Sequence, residues 1–435
     1  MKKIILKNNI FILLFIVILG SNIFKSKICL FIQIGGCLFY LFFIFLKEPK
    51  KILLYSYILF IMITDLVGIF FIEFFEGRYL YEINQISNYK NSLFPISIYT
   101  LINIYILSLI NLKDVEFKKI SNKFINGIIF GLLILIIIIC IKIMNKPIFL
   151  LNIDKYEYAE KYLDFTTKTI INIYQYYLPL FLGYIYITSV LKRTKIIIIL
   201  INILLVIILL CIGVKFGGFV HFFYWFSLPS ILLIKSEKKI KKKIIQFSII
   251  VLILIIISMM HRVYNYGLTL TEGLNGVINR GFQQGQLWWA TYLKDKTNYS
   301  NFIISEILNS DEKTRGIYKI MYETADKDLV DKLYKNKSTY TASTMSTIYL
   351  YFGIKGLYIF GIIFTTLFVK LYISIIQNLK DCLLLNLVFL TRIFVILISM
   401  FTMSKFYIYK FIELFILIIG IISIKICNIY YNQRR

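Results

Sequence analysis

Hydrophobic residues make up 59% of this 435-residue chain, and its formal net charge is +26. A soluble globular protein is excluded, because a chain of this length cannot bury so large an apolar fraction in a core. The charge does not indicate nucleic-acid binding either, since the basic residues form short clusters between apolar runs, of which KSEKKIKKK at 235–243 is the strongest. Composition therefore predicts an integral membrane protein.

Apolar runs of about 17–25 residues, the length that crosses roughly 30 Å of hydrocarbon, recur along the whole chain. The first follows the start MKKIILKNN and has no small-residue cleavage site, so we interpret it as an uncleaved helix. The sequence predicts an all-α polytopic protein with about twelve transmembrane helices in a single membrane domain, 1–435. The predicted spans are 4–24, 28–46, 52–72, 93–112, 124–144, 169–191, 196–214, 216–234, 244–260, 346–370, 383–403 and 406–426.

The loops between these spans alternate in charge. If the N-terminus is cytoplasmic, lysine-rich loops such as 113–123 and 235–243 fall on the cytoplasmic side, and the acidic loops 73–92 and 145–168 fall outside. Positively charged loops mark the cytoplasmic side of a membrane protein. Both termini are therefore expected in the cytoplasm, and the long polar segment 261–345 is expected to form a large periplasmic loop.

The segment 261–345 contains two stretches, 271–295 and 318–335, in which apolar residues recur at three- and four-residue spacing. This spacing predicts amphipathic helices and an ordered helical cap on the outer face. Trp288 lies in the first stretch, beside glutamines. We interpret it either as an anchor in the lipid headgroup region or as a ring that stacks on a sugar.

Arginine is rare among the basic residues, and three of the eight arginines lie in the large loop: Arg262, Arg280 and Arg315. A guanidinium group binds two phosphate oxygens at once, whereas a lysine ammonium acts as a point charge. These arginines are therefore candidates to bind a pyrophosphate. The alternative for each is a solvated surface side chain.

Arg392 lies near the middle of the predicted span 383–403. A central arginine costs roughly 2.5–3.5 kcal/mol on insertion scales, so the charge requires a partner or a role. Asp65, deep in span 52–72, is one possible partner. A position in a cavity that holds a lipid phosphate is the other interpretation.

Two residues of the large loop are candidates for a general base, His261 and Glu272. A histidine changes its charge near neutral pH, although an aromatic residue at the membrane interface is an equally ordinary explanation for His261. The sequence contains no Walker loop, dinucleotide fingerprint, HExxH or Gly-x-Ser-x-Gly pattern, so it predicts no metal and no cofactor.

The segment STMSTIYLYFGIKGLYIFGIIF, 343–364, begins with small polar residues and continues with an aromatic-Phe-Gly turn. Together with a dozen spans and one large outer loop late in the chain, it resembles the Wzy-type polymerases of O-antigen or other oligosaccharide repeat units. Some members of that family carry an outer-loop arginine that is separated from a glycine by ten intervening residues, and Arg262 and Gly273 fit this spacing.

The resemblance implies a glycosyltransferase of the bacterial inner membrane that uses undecaprenyl-pyrophosphate-linked repeat units at the periplasmic face. Arg262, Arg280, Arg315 and Arg392 would bind pyrophosphate, Trp288 would contact sugar, and His261 or Glu272 would act as the base. A chain-length regulator and a flippase of the same pathway are the implied protein partners.

Two other functions remain open at this point. An O-antigen ligase would have the same membrane plan and transfer the glycan to a lipid A core. A flippase or transporter of lipid-linked sugars would instead show two related halves and short loops, and the chain shows neither.

Overall fold

The computed structural model describes residues 2–24, 26–80, 82–110, 116–117, 123–148, 151, 155–213, 216–242, 244–246, 249, 269–292, 301–335, 339, 344–380 and 384–433. Over these residues the protein is predominantly helical, and its one sheet there is a two-stranded antiparallel hairpin, β1 (Tyr79–Leu80) and β2 (Gln85–Ile86). The long helices are α1 (Lys2–Phe24), α2 (Lys27–Lys47), α4 (Ser56–Phe74), α5 (Leu93–Leu109), α6 (Lys123–Met144), α10 (Lys192–Cys211), α11 (Phe216–Leu233), α12 (Leu270–Thr291), α15 (Met345–Lys380), α16 (Leu384–Met403) and α17 (Ile408–Gln433). The short helices are α3 (Pro49–Leu54), α7 (Lys155–Tyr162), α8 (Phe165–Asn172), α9 (Pro179–Thr188), α13 (Gly316–Thr324) and α14 (Lys327–Lys335).

Local sequence signals explain several helix starts. Pro49 and Pro179 occupy the first turn of α3 and α9, where a missing N–H costs no helical hydrogen bond. Asp164 precedes α8, and its carboxylate accepts the backbone N–H of Thr167 at 3.3 Å. Such caps satisfy N–H groups that have no partner within the helix.

Seven of the described helices are long and apolar enough to cross a membrane, and three shorter apolar helices accompany them. The predicted all-α, multi-pass character is therefore confirmed. Described helices coincide with eleven of the twelve predicted spans, whereas most of 244–260 lies outside the described residues. The count of twelve and the periplasmic placement of the large loop stay predictions. The amphipathic helices expected within 271–295 and 318–335 are present as α12, α13 and α14.

The chain forms two compact units, each assembled from separate stretches of sequence. Unit 1 comprises Met1–Leu112, Ser236–Lys370 and Ile396–Glu413, and unit 2 comprises Lys113–Lys235, Leu371–Val395 and Leu414–Arg435. Whether they act as the single membrane domain expected from the sequence stays a prediction.

At one end of unit 1, an ionic cluster joins α1, the α2–α3 junction and the end of α5. Glu48 forms salt bridges with Lys7 and with Lys51, the latter at 3.1 Å. The Lys7 ammonium also donates to the carbonyl oxygen of Ser108 at 3.2 Å. These segments are the ones that the charge pattern assigns to the cytoplasmic side.

At the other end of unit 1, α12 packs along α4 with almost no space between the two backbones. A methyl group added at Gly68 of α4 would lie 2.7 Å from the amide nitrogen of Gly285 and 2.8 Å from the carbonyl oxygen of Gly281. Glycines spaced like Gly281 and Gly285 allow helices to approach this closely. Part of the predicted outer loop is thus packed against a candidate membrane span.

Helix α15 is broken at Gly353, which has φ 65° and ψ −166°. This conformation is essentially restricted to glycine. The break follows Tyr351 and Phe352, so the aromatic-Phe-Gly pattern noted in the sequence marks a kink. The first turns of α15, residues 345–352, form a separate short helical segment. This segment lies at the end of unit 1 that carries the described part of 261–345, which we call the loop-bearing end.

In unit 2, an aliphatic core forms where α6, α9 and α10 pack together, with Ile129, Leu182 and Ile201 fully buried. Arg392 belongs to this unit, and its guanidinium carbon lies 5.2 Å from the ring centre of Tyr177. This distance is within the range of a cation–π contact. Asp65 belongs to unit 1, and the predicted pairing of Asp65 with Arg392 stays a prediction.

Candidate functional site

Arg315 is the predicted site residue around which polar side chains gather. It precedes α13, is 7% exposed, and its guanidinium carbon lies 3.9 Å from the ring centre of Tyr407. One Nη donates to the carbonyl oxygen of Asn309, while Nε has no hydrogen-bond partner among the described residues. The guanidinium therefore has an unused hydrogen-bond donor. Because a buried donor without a partner is costly, an acceptor that bound there would be favoured.

Glu306 lies beside Arg315, in a π-helical turn, Ile303–Leu308. Its carboxylate is 1% exposed and accepts the backbone N–H of Gly316 at 2.6 Å and the hydroxyl of Tyr351 at 2.9 Å. Burial raises the pKa of the Glu306 carboxyl, although both hydrogen bonds and the charges of Lys319 and Arg315 act in the opposite direction. Glu306 therefore ties the start of α13 to α15.

Lys319 is four residues after Arg315, so it lies on the same side of the helix one turn later. Its ammonium donates to the Tyr351 hydroxyl at 2.8 Å, and that hydroxyl donates to Glu306. We call Glu306, Arg315, Lys319, Tyr351 and Tyr407 the Arg315 cluster. It combines two cations, one carboxylate and two phenols in a mostly buried position.

A second lysine lies close to this cluster, in the connection between α16 and α17. Burial, together with repulsion from Lys410, lowers the pKa of Lys405, and attraction to Glu312 opposes this change. The charge of Glu312 also acts on Tyr407 of the Arg315 cluster. The positive charge at this end of unit 1 thus comes from α13 and from the α16–α17 connection.

The small polar residues at the start of α15 hold the α16–α17 connection in place. The Ser404 backbone N–H donates to the Thr344 hydroxyl at 2.8 Å, and the hydroxyls of Ser404 and Thr347 lie 2.7 Å apart. Gly316 has φ 56°, and a methyl group there would lie 3.2 Å from the carbonyl oxygen of Ser404. The loop before α13, α15 and the α16–α17 connection therefore meet at Arg315.

The structure describes less of the surroundings of the other predicted arginines. His261 and Arg262 lie outside the described residues. Arg280 is in α12, and the structure does not describe its side chain. Arg392 belongs to unit 2. Arg315 therefore provides the described candidate site, and Arg392 is described with its contact to Tyr177 in unit 2.

Glu272 has a structural role at the start of α12, and its role as a general base stays a prediction. Its carboxylate accepts the Thr269 backbone N–H at 2.7 Å and the Thr269 hydroxyl at 2.9 Å, while the Thr269 hydroxyl accepts the Glu272 N–H at 3.3 Å. These hydrogen bonds form a capping box at the start of α12 and lower the pKa of Glu272. The geometry assigns Glu272 a structural role.

Trp288 is placed neither as an anchor in the lipid headgroup region nor as a ring that could stack on a sugar. The indole is 3% exposed, its N–H donates to the carbonyl oxygen of Ser92 at 3.0 Å, and its ring centre lies 5.2 Å from that of Tyr349. A ring packed in this way is not at a lipid interface and has no free face for a sugar. Trp288 instead joins α12 to the start of α5 and to α15.

Reasoning from the sequence missed Glu306, Lys319, Tyr351 and Tyr407. A signal for Glu306 was available, since it is the one charged residue in the apolar stretch FIISEIL, 302–308. The aromatic residues offered no comparable signal, because tyrosine is abundant throughout the chain. Within the described residues, no group of three histidine, cysteine or acidic side chains is placed to hold a metal ion.

The pKa of Glu306 leads to a prediction about stability. Because the folded-state pKa is raised above the ordinary value of about 4.3, the protonated carboxyl stabilises the fold at low pH, and this contribution is lost as pH rises through the folded pKa. Glu306→Gln keeps a neutral group at every pH. We expect the melting temperature of the wild type to fall relative to that of E306Q as pH rises from the ordinary pKa of a glutamate through the folded-state pKa of Glu306. Thermal unfolding in detergent at a series of pH values measures the difference, and a difference that is constant with pH would contradict the assignment.

A family model described as a family of unknown function, DUF6418, matches residues 310–419. The matched segment includes Arg315, Lys319, the broken helix α15 and the α16–α17 connection. It covers about a quarter of the chain. No curated protein and no solved structure matches the chain.

Proposed function

We propose that this protein is a glycosyltransferase that polymerises oligosaccharide repeat units carried on undecaprenyl pyrophosphate, at the outer face of the bacterial inner membrane. Both termini would be cytoplasmic, and the described part of 261–345 would lie at the periplasmic side. The observation that carries the proposal is the buried Arg315 guanidinium, which stacks on Tyr407 and keeps an unpartnered Nε.

The chemistry requires stabilisation of a leaving group. A hydroxyl of the acceptor sugar forms a bond to the anomeric carbon of the donor glycan, and the bond from that carbon to the pyrophosphate oxygen breaks. The electron pair leaves with the lipid pyrophosphate, on which negative charge develops. Arg315 and Lys319, one helical turn apart, are suited to bind that charge, since donors fixed in a mostly buried site act strongly on a developing anion.

Glu306 is better suited to positioning than to proton transfer. Each of its two oxygens already accepts a hydrogen bond from the protein, one from Gly316 and one from Tyr351. Its negative charge also offsets the cost of burying Arg315 and Lys319 near each other. We therefore assign Glu306 the task of holding the two cations in place.

Deletion of the gene in its host tests the proposed function. The surface glycolipid is separated on a gel, and lipid-linked intermediates are extracted from the same cells. We expect the ladder of long chains to collapse to core plus one repeat unit, lipid-linked single units to accumulate, and a plasmid copy of the gene to restore the ladder. The pathway's flippase and chain-length regulator remain intact in this strain.

Three other results would contradict the proposal in different ways. Bare core with long polymer retained on the lipid carrier would identify a ligase. Lipid-linked single units trapped on the cytoplasmic side would identify a transporter. An unchanged ladder would remove the protein from this pathway.

A further inference from the structure

Glu73, at the last turn of α4, is a second buried carboxylate at the loop-bearing end of unit 1. It is fully buried, and its Oε1 accepts the backbone N–H groups of Ser92 at 2.6 Å and Lys90 at 3.3 Å. Its Oε2 has no hydrogen-bond partner among the described residues. The backbone at the start of α5 thus fixes one oxygen, and the Ser92 hydroxyl and the Leu93 N–H also act on the carboxylate, while Oε2 keeps an unfilled acceptor position.

Two phenols lie within electrostatic reach of this carboxylate. The charge of Glu73 acts on Tyr89 of the loop 73–92 and on Tyr292, which follows α12. The pKa of each of these two tyrosines is raised to about 12. Burial is the main cause, and the negative charge of Glu73 adds to it. Both therefore remain neutral at physiological pH, and the Tyr89 hydroxyl donates to the side-chain oxygen of Asn91 at 3.3 Å. Carboxylates, phenols and aromatic faces are the groups that bind sugar hydroxyls and sugar rings.

The start of α15 connects this carboxylate to the Arg315 cluster. The ring centre of Tyr349 lies 5.7 Å from that of Tyr292, which is near Glu73. Tyr351, two residues later, binds Glu306 and Lys319. Residues two apart on a helix face different directions. Tyr349 therefore contacts Tyr292, on which the charge of Glu73 acts, whereas Tyr351 contacts Glu306 and Lys319.

We propose that Glu73 is the general base that takes the proton of the acceptor sugar hydroxyl, an inference that rests on the proposed polymerase function. The hydroxyl oxygen forms the new bond to the donor anomeric carbon as its proton passes to Oε2 of Glu73. The bond from that carbon to the pyrophosphate breaks, and the electron pair leaves with the lipid pyrophosphate held by the Arg315 cluster. Glu73 then releases the proton to water as the product leaves.

The test uses the full-length protein in liposomes and lipid-linked repeat units extracted from the deletion strain, with release of lipid pyrophosphate as the readout. Glu73→Gln retains an oxygen to accept the Ser92 and Lys90 N–H groups but cannot take a proton. We expect kcat to fall by about 100-fold or more with KM little changed, since general bases contribute about 10²–10⁴ to a rate. Glu76→Gln is the matched control, because Glu76 is three residues away and pairs with Lys27 at 3.1 Å near the surface.

A second variant separates a base from a structural residue. Glu73→Ala leaves space for a small carboxylate, so added formate should restore part of its activity and should not affect E73Q. Wild-type rates in E73Q would overturn the assignment, as would an E73A variant that folds but does not respond to formate. Failure of the polymerase proposal would be recognised separately, because the wild-type protein would then release no lipid pyrophosphate.

Discussion

Arg315→Ala is expected to abolish long-chain polymer while the protein still inserts in the membrane at normal abundance. Removing one fixed donor to a developing anion typically costs about 100- to 1000-fold in rate. Here the loss would also leave Glu306 buried without its neighbouring guanidinium, which disturbs Lys319 and Tyr351 as well. Complementation of the deletion strain, with the ladder on a gel and immunoblotting of the membrane fraction, measures both polymer and abundance.

Arg315→Lys tests the geometry of the contact as distinct from its charge. A lysine would keep the positive charge but lose the planar fork, the stacking on Tyr407 and the bond to Asn309, so we expect poor rescue. Lys313→Ala is the matched control, since Lys313 is two residues away and its pair with Asp331, at 2.9 Å, is half-exposed. Full-length polymer in R315A, or equal loss in K313A, would contradict the role given to Arg315.

Gly68→Ala and Gly285→Ala are expected to destabilise the protein strongly. A methyl group at Gly285 would lie 2.5 Å from the amide nitrogen of Ile69, and one at Gly68 would lie 2.7 Å from that of Gly285. The obstructing atoms are backbone, which cannot rotate away, so α4 and α12 would have to separate. Overpacking of this kind costs about 1–3 kcal/mol and occasionally more. Thermal unfolding of the purified protein in detergent would report the loss.

Two glycines provide controls for this prediction. A methyl group at Gly281 would first meet the Phe71 ring at 3.6 Å, an ordinary contact, and one at Gly35 would meet nothing within 4 Å. We expect Gly281→Ala to be tolerated and Gly35→Ala to be neutral or slightly stabilising, because alanine favours helix over glycine by about 1 kcal/mol. If all four variants melted alike, the close approach of α4 and α12 would be wrong.

Elements defined by local pattern were predictable from the sequence. The long apolar runs and the three- and four-residue spacing of 318–335 led directly to the candidate spans and to α13 and α14, since periodicity is a local property. Arg315 was also recognisable, because arginine is rare in a lysine-rich chain. The Thr-x-x-Glu pattern of Thr269 and Glu272 is also a local signal, typical of a capping box at a helix start.

Contacts between distant segments were not predictable in this way. Glu306 binds Tyr351, 45 residues later, and the indole N–H of Trp288 binds the carbonyl of Ser92, 196 residues earlier. Glu73 appeared as one of several acidic residues in a loop, and its burial depends on α5 folding back beside α4. No periodicity within a single segment contains that information. Side chains whose roles depend on tertiary packing therefore had to come from the structure.

The backbone contact between α4 and α12 also bears on how a substrate arrives. A helix that touches a membrane span at glycine–glycine distance, with both indoles of Trp288 and Trp289 hydrogen-bonded to residues 88–92, cannot swing outward like a lid without losing that whole interface. In the proposed reaction, the substrate is a lipid carrier whose long isoprenoid tail already lies in the bilayer. We therefore expect the substrate to enter laterally, from the membrane and between helices. Helix α12 would stay packed against α4 throughout the reaction.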